Sequence, residues 1–102
     1  MSLSEAQRRA TKEELRLAFE RSGKSEAEAC AELGCSPTAL RRVMALHADA
    51  LEDVWILRDY FADAARARGV EPVRFTALVG DPADYWFLDA GRIRRRELST
   101  RA

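Results

Sequence analysis

The chain has 102 residues, of which 47% are hydrophobic and 33% charged, with 17 basic and 17 acidic side chains and a formal net charge of zero. This is the size and composition of one folded domain. It excludes a disordered tail protein and a strongly basic nucleic-acid binder, leaving room for a local cationic patch. The longest uninterrupted apolar run, Val54-Trp55-Ile56-Leu57, is far too short to span a membrane, and the amino terminus MSLSEAQRR is charged. A soluble protein of the reducing cytoplasm is therefore expected, without membrane association.

Charge is unevenly placed. Residues 1–24 hold six basic and four acidic groups, 25–47 two and three, 48–72 three and six, and 73–102 six and four. Both ends are basic and the middle is acidic. Two cysteines and one histidine are too few for a recognisable zinc site, and Cys30 and Cys35, five apart across a helix end, are poorly placed for a disulfide. They read as a small core thiol and a turn residue, and no cofactor is expected.

In chain order, residues 1–10 form a polar arm or a first helical turn carrying Arg8 and Arg9. Thr11-Lys12-Glu13-Glu14 has the capping-box pattern and predicts a helix from 11 to about 22, with Leu15, Ala18 and Phe19 facing inward and Gly23 ending it. On the arm, Arg8, Arg9 and Lys12 are either solvated charge or phosphate contacts.

Residues 25–46, SEAEACAELGCSPTALRRVMAL, organise the rest. Ser25 and Glu28 form a second capping box, and Ala29, Cys30 and Leu33 share a helical face. Gly34 suits the left-handed residue that ends a helix. Ser36 caps the next helix, with Pro37 at its first position, where no N–H is needed. Leu40, Val43 and Met44 give that second helix its inner face. This is the pattern of a helix-turn-helix, with Ser36, Thr38, Arg41 and Arg42 left on the outer face that enters the major groove in DNA-binding versions. A helical hairpin that packs a core without touching nucleic acid fits the same pattern.

Asp49 stands three residues before Glu52 and is expected to cap a long helix over 50–68, ended by Gly69 with Pro72 beyond. Its apolar residues spread widely. Val54, Leu57, Phe61 and Ala64 make one face, Leu51, Trp55, Ala62 and Ala65 widen it, and Ile56 and Tyr60 lie further round. Such a helix is central to the fold, shared with a partner, or both, and a homodimer is expected. Asp53, Asp59 and Asp63 lack the facing ligands of a di-metal bundle, and Arg58 and Arg66 are available to pair with them.

Residues 70–91, VEPVRFTALVGDPADYWFLDAG, break helix at Pro72 and Pro82. A short helix capped by Asp81 is expected to run through Tyr85-Trp86-Phe87-Leu88 and to fold back on the long helix, with Trp55 meeting Trp86 or Phe87. These aromatics suit a core, a dimer interface or a ligand pocket. The tail from 91 to 102 carries Arg92, Arg94, Arg95 and Arg96, a cluster expected to be solvated and mobile or to track DNA phosphates. No catalytic constellation is present, and no enzyme is expected.

MSLSEAQRRATKEEL, the LGCSP turn, LEDVWILRDYF and PVRFTALVGDPADYWFLDAG together resemble a small bacterial family of uncharacterised proteins, catalogued as a domain of unknown function (family 2316). The resemblance covers about residues 1–95. It implies an all-α fold with a repressor-like helix-turn-helix, and it implies no activity or ligand. One position departs from repressor-type motifs, which often place glutamine at the start of the first motif helix to reach a phosphate. Aligned on Gly34, this chain has Glu26 there, with Glu28 and Glu32 near by.

The expectation is one all-α domain, a small helical bundle containing a repressor-like helix-turn-helix, with a long fourth helix and an aromatic segment folded back on it. Its core spans about 11–90, between an arm at 1–10 and a basic tail at 91–102. The first functional reading is a double-stranded DNA-binding regulator using Ser36, Thr38, Arg41 and Arg42 in the groove and Arg8, Arg9, Arg92, Arg94, Arg95 and Arg96 on phosphates. The second is a protein-interaction or dimerisation module that keeps the motif as scaffold. A third, a ligand sensor, needs a cavity near Trp55 and Trp86.

Overall fold

Helix α1 spans Glu5–Ser22, six residues longer at its start than the expected one. Ser4 caps it: its hydroxyl accepts from the Gln7 N–H, and the Gln7 side chain accepts from the Ser4 N–H. The Thr11–Glu14 pair is not a cap. Thr11 is fully buried in mid-helix and donates its hydroxyl to the Gln7 carbonyl, while Glu14 reaches across to Thr76. Burial decides between the two boxes, because Thr11 lies on the same inward stripe as Leu15 and Ala18 and the helix must already be wound there. The computed structural model describes residues 3–99; the ends of the expected arm (1–2) and tail (100–102) lie outside the described residues.

Helices α2 (Glu26–Leu33) and α3 (Pro37–Met44) follow, joined by the turn Gly34-Cys35-Ser36. Here the local expectations hold. Ser25 and Glu28 form a reciprocal capping box, Gly34 closes α2 at φ 68°, and the Ser36 hydroxyl accepts from the Ala39 N–H with Pro37 at the first position. Ala29, Cys30, Leu33, Ala39, Leu40 and Val43 are buried, and Met44 is half-buried.

Helix α4 (Leu51–Ala67) is the centre of the fold and contacts α1, α3 and α5 (Ala90–Arg95). Asp49 does not cap it. Ala50 holds the cap position with no side-chain bond, and Asp49 faces Arg42 at 3.4 Å. Val54, Trp55, Ile56 and Leu57 are all at most 3% exposed, so the apolar breadth that suggested a partner is covered by the chain's own elements. Phe19 of α1 packs edge-on against Phe61, with ring centroids 5.7 Å apart. Burying a side chain such as Leu15, Ile56 or Phe61 contributes roughly 1.5–3 kcal/mol each, which makes the α1–α4 contact the main apolar support.

Residues 70–89 contain one 3₁₀ turn, Pro82–Asp84, capped by the Asp81 carboxylate, which accepts from the Ala83 N–H. The expected helix does not continue through 85–88. Tyr85 turns extended so that its ring meets Trp55 (5.4 Å) and its hydroxyl donates to the Val79 carbonyl (2.7 Å). Neither Trp86 nor Phe87, the two rings expected against Trp55, stacks on it: Phe87 packs on Tyr85 and edge-on to Trp86, and Trp86 is 93% exposed. The stretch does fold back on α4, burying Phe75, Leu78 and Leu88. Among the described residues there is no strand, and no helix is long and apolar enough to cross a membrane.

Candidate nucleic-acid interface

The outer face of α3 is uncovered: Pro37, Thr38, Arg41 and Arg42 are exposed, while Ala39, Leu40 and Val43 are buried beneath them. Ser36 is half-buried at the cap, its hydroxyl oxygen engaged by the Ala39 N–H. Each arginine leans on a carboxylate. Arg41 makes a two-pronged pair with Glu26, donating from Nε at 2.9 Å and Nη2 at 2.8 Å. Arg42 donates loosely, at 3.4 Å, to Asp49 and to the His47 carbonyl.

The three glutamates of α2 have separate partners. Glu28 caps its own helix, and the hydrogen bonds from Ser25 hold its carboxyl below the usual range. Glu32 accepts from the Tyr60 hydroxyl (2.6 Å) and from Lys24 (3.0 Å), which lowers its pKa in turn, while burial and that carboxylate push the Tyr60 phenol up. Only Glu26 bears directly on α3.

Helix α1 adds cations to the same region. Arg8 donates to the Leu46 carbonyl at 3.3 Å, just past the end of α3. Lys12 and Arg16 border a groove of about 360 Å³ shared with Phe19, Leu40, Arg41 and Met44. Arg16, paired with Glu13 and Glu20 on its own helix, is not among the residues the sequence pattern places at an interface; its i+4 spacing from Lys12, on a helix that begins before residue 11, is the signal for it. Arg9, highly exposed, lies 4.0 Å from Glu5 and does not line this groove.

The four carboxy-terminal arginines are placed elsewhere, on a docked helix rather than a solvated tail. Arg92 pairs with Asp53 and Glu52 of α4 and donates to the Glu97 carbonyl. Arg95 pairs with Glu97, and Arg96 pairs with Asp63 and lies over the Tyr60 ring at 5.5 Å. Arg94 is exposed without a partner among the described residues. Ile93 and Leu98 are buried between them. The carboxylates on α4 pair largely as their spacing suggests, Asp59 with Arg58 and Asp63 with Arg66, and no group of metal-holding side chains occurs among the described residues.

A model of the family described as "Uncharacterized protein conserved in bacteria (DUF2316)" matches residues 1–89. The chain belongs to that family. No curated protein and no solved structure matches it. The DUF2316 span is slightly shorter than the likeness read from the residues and takes in α1 to α4 with the stretch that folds back on α4, stopping just before α5.

The cysteines of this DUF2316 chain are free, Cys30 buried and Cys35 half-buried. Burial, with Cys30 beside it, pushes the Cys35 thiol up to about 11. Alkylation of Cys35 by iodoacetamide at pH 8 is therefore expected to run at least about tenfold slower than that of an unstructured cysteine, because little thiolate is present. Labelling followed by mass spectrometry checks this, and an ordinary rate would contradict the half-buried placement of Cys35 beside Cys30.

Proposed function

We propose that α2, the turn and α3 form a helix-turn-helix that binds double-stranded DNA, as in a small transcriptional regulator. The observation that carries this reading is the uncovered face of α3, with Thr38, Arg41 and Arg42 exposed and no other segment among the described residues packed over them. Arg8, Lys12 and Arg16 of α1 flank it as phosphate contacts. Ion pairs between exposed side chains are weak and screened, so Glu26 and Asp49 can surrender their arginines to phosphates or base edges. They also hold the two guanidiniums in place before DNA arrives. The reading needs no second copy of the chain, because the apolar surface of α4 is already covered.

The test is fluorescence anisotropy of the full chain on pooled random-sequence duplexes. With these five cationic contacts, affinity is expected to fall roughly 500-fold between about 50 and 200 mM salt. Glu26→Gln removes the carboxylate that competes for Arg41 and supplies an amide donor at the same place. It is expected to tighten binding at least about threefold at low salt. Absence of any duplex binding by the wild-type chain at low salt would sink the proposal. Trp86, exposed beside Phe87, favours a second reading in which the chain docks on another protein. Trp86 does not line the groove beside α3, so Trp86→Ala separates the two: duplex binding persists if the first reading is right.

A further inference from the structure

A second groove, of about 560 Å³, lies between α4, residues 72–80 and α5. Its volume is that of a small-molecule site. Phe75, Leu78 and Ile93 of the buried core lie at its base, and Val73 and Val79 add more exposed apolar surface, so the floor is apolar. Its rim holds five guanidiniums (Arg58, Arg66, Arg74, Arg94 and Arg96) against two carboxylates, Asp59 and Asp63. The local balance is +3 in a chain whose formal net charge is zero.

The five arginines are not equivalent. Arg58 is fully committed to Asp59, to the Leu78 and Gly80 carbonyls and to the Trp55 ring. Arg66 and Arg96 share one carboxylate, Asp63, each taking one of its oxygens. Arg74 and Arg94 are exposed and have no partner among the described residues. Two guanidiniums thus lack a counter-charge and two more divide a single one, around an apolar floor.

We propose that this groove binds a small organic oxyanion, a phosphate or carboxylate attached to an apolar body. Arg74 and Arg94 are its primary ligands, their planar forks matching either group, and Arg66 and Arg96 add charge from across the rim. The apolar body lies on Phe75 and against Val73 and Val79, with Leu78 and Ile93 just beneath. A duplex backbone would meet the rim and leave that floor unused, which favours a small ligand. The groove shares no residue with the one beside α3, so this site stands or falls independently of DNA binding.

The experiment is a titration of the full chain, followed by amide chemical shifts, with phenyl phosphate, benzoate and inorganic phosphate. Saturable shifts at Leu78, Gly80, Ile93 and Arg94 are expected with phenyl phosphate or benzoate, and the tighter of the two identifies the oxyanion. Inorganic phosphate, lacking the apolar body, is expected to bind at least about tenfold more weakly, and Arg74→Ala with Arg94→Ala to weaken the preferred probe by at least about tenfold. Both arginines are exposed and have no partner among the described residues, so the double variant is expected to keep the wild-type unfolding midpoint. No saturable shift up to about 10 mM of either organic probe, equal binding of inorganic phosphate, or unchanged affinity in the double variant would each overturn the proposal.

Discussion

Asp53→Ala is expected to lower the stability of the chain by about 3 kcal/mol, a drop of roughly 15 °C in the thermal midpoint. The side chain is 2% exposed on α4 and collects three donors from the end of the chain. One oxygen accepts from Arg92 and from the Ser99 N–H at 2.9 Å, and the other accepts from the Ser99 hydroxyl. Truncation leaves a largely buried guanidinium and two Ser99 donors short of their acceptor, and breaking a buried pair costs more than the pair is worth. Glu52 limits the loss, since it lies 3.6 Å from Arg92. Asp53→Asn, which keeps the acceptor and the volume, is expected to cost less. Differential scanning calorimetry decides: a midpoint lowered by less than about 5 °C means that Ile93 and Leu98 hold α5 unaided.

If α3 binds DNA as proposed, Arg41→Ala combined with Arg42→Ala is expected to weaken duplex binding about 100-fold at low salt and to flatten the slope of log affinity against log salt by about two. Both side chains are exposed, and their carboxylate partners remain solvated after truncation, so folding is expected to survive. Unchanged affinity in this variant, with wild-type duplex binding present, would move the contact away from α3. Anisotropy and a circular-dichroism melt on the same samples separate lost binding from lost structure.

What the sequence revealed follows the range of the physics involved. Ser25 with Glu28, Gly34, Ser36 and Pro37 act within one helical turn, and their structural roles are legible from spacing alone. Where two local signals competed, burial chose between them: Ser4 with Gln7 over Thr11 with Glu14, since Thr11 is needed in the core. Asp49 had the right spacing for a cap but is drawn toward Arg42 instead. The arginines at 92 and 96 were the least legible, because their partners lie 39 and 33 residues away. A signal was present in the charge distribution, an acidic stretch at 48–72 followed by a basic one at 73–102, whose complementarity is what docks α5 on α4. Trp86 was misplaced because apolar character alone cannot tell which ring of Tyr85-Trp86-Phe87 turns inward. The groove residues Arg74 and Arg94 come together only through the fold.

Arg58 has a consequence for how the molecule moves. Residues 70–89 have almost no helical hydrogen bonding of their own, and one side chain fastens them at two carbonyls, Leu78 and Gly80, while its guanidinium lies 4.4 Å over Trp55. Glu14 holds Thr76 and the buried Phe75, Leu78 and Leu88 add packing, but a segment without a helical ladder is expected to open at a lower free energy than the α1–α4 pair, without global unfolding. Leu78 and Gly80 also wall the cationic groove. Arg58 therefore acts as a latch: releasing it would let the groove breathe while the face of α3 keeps its shape.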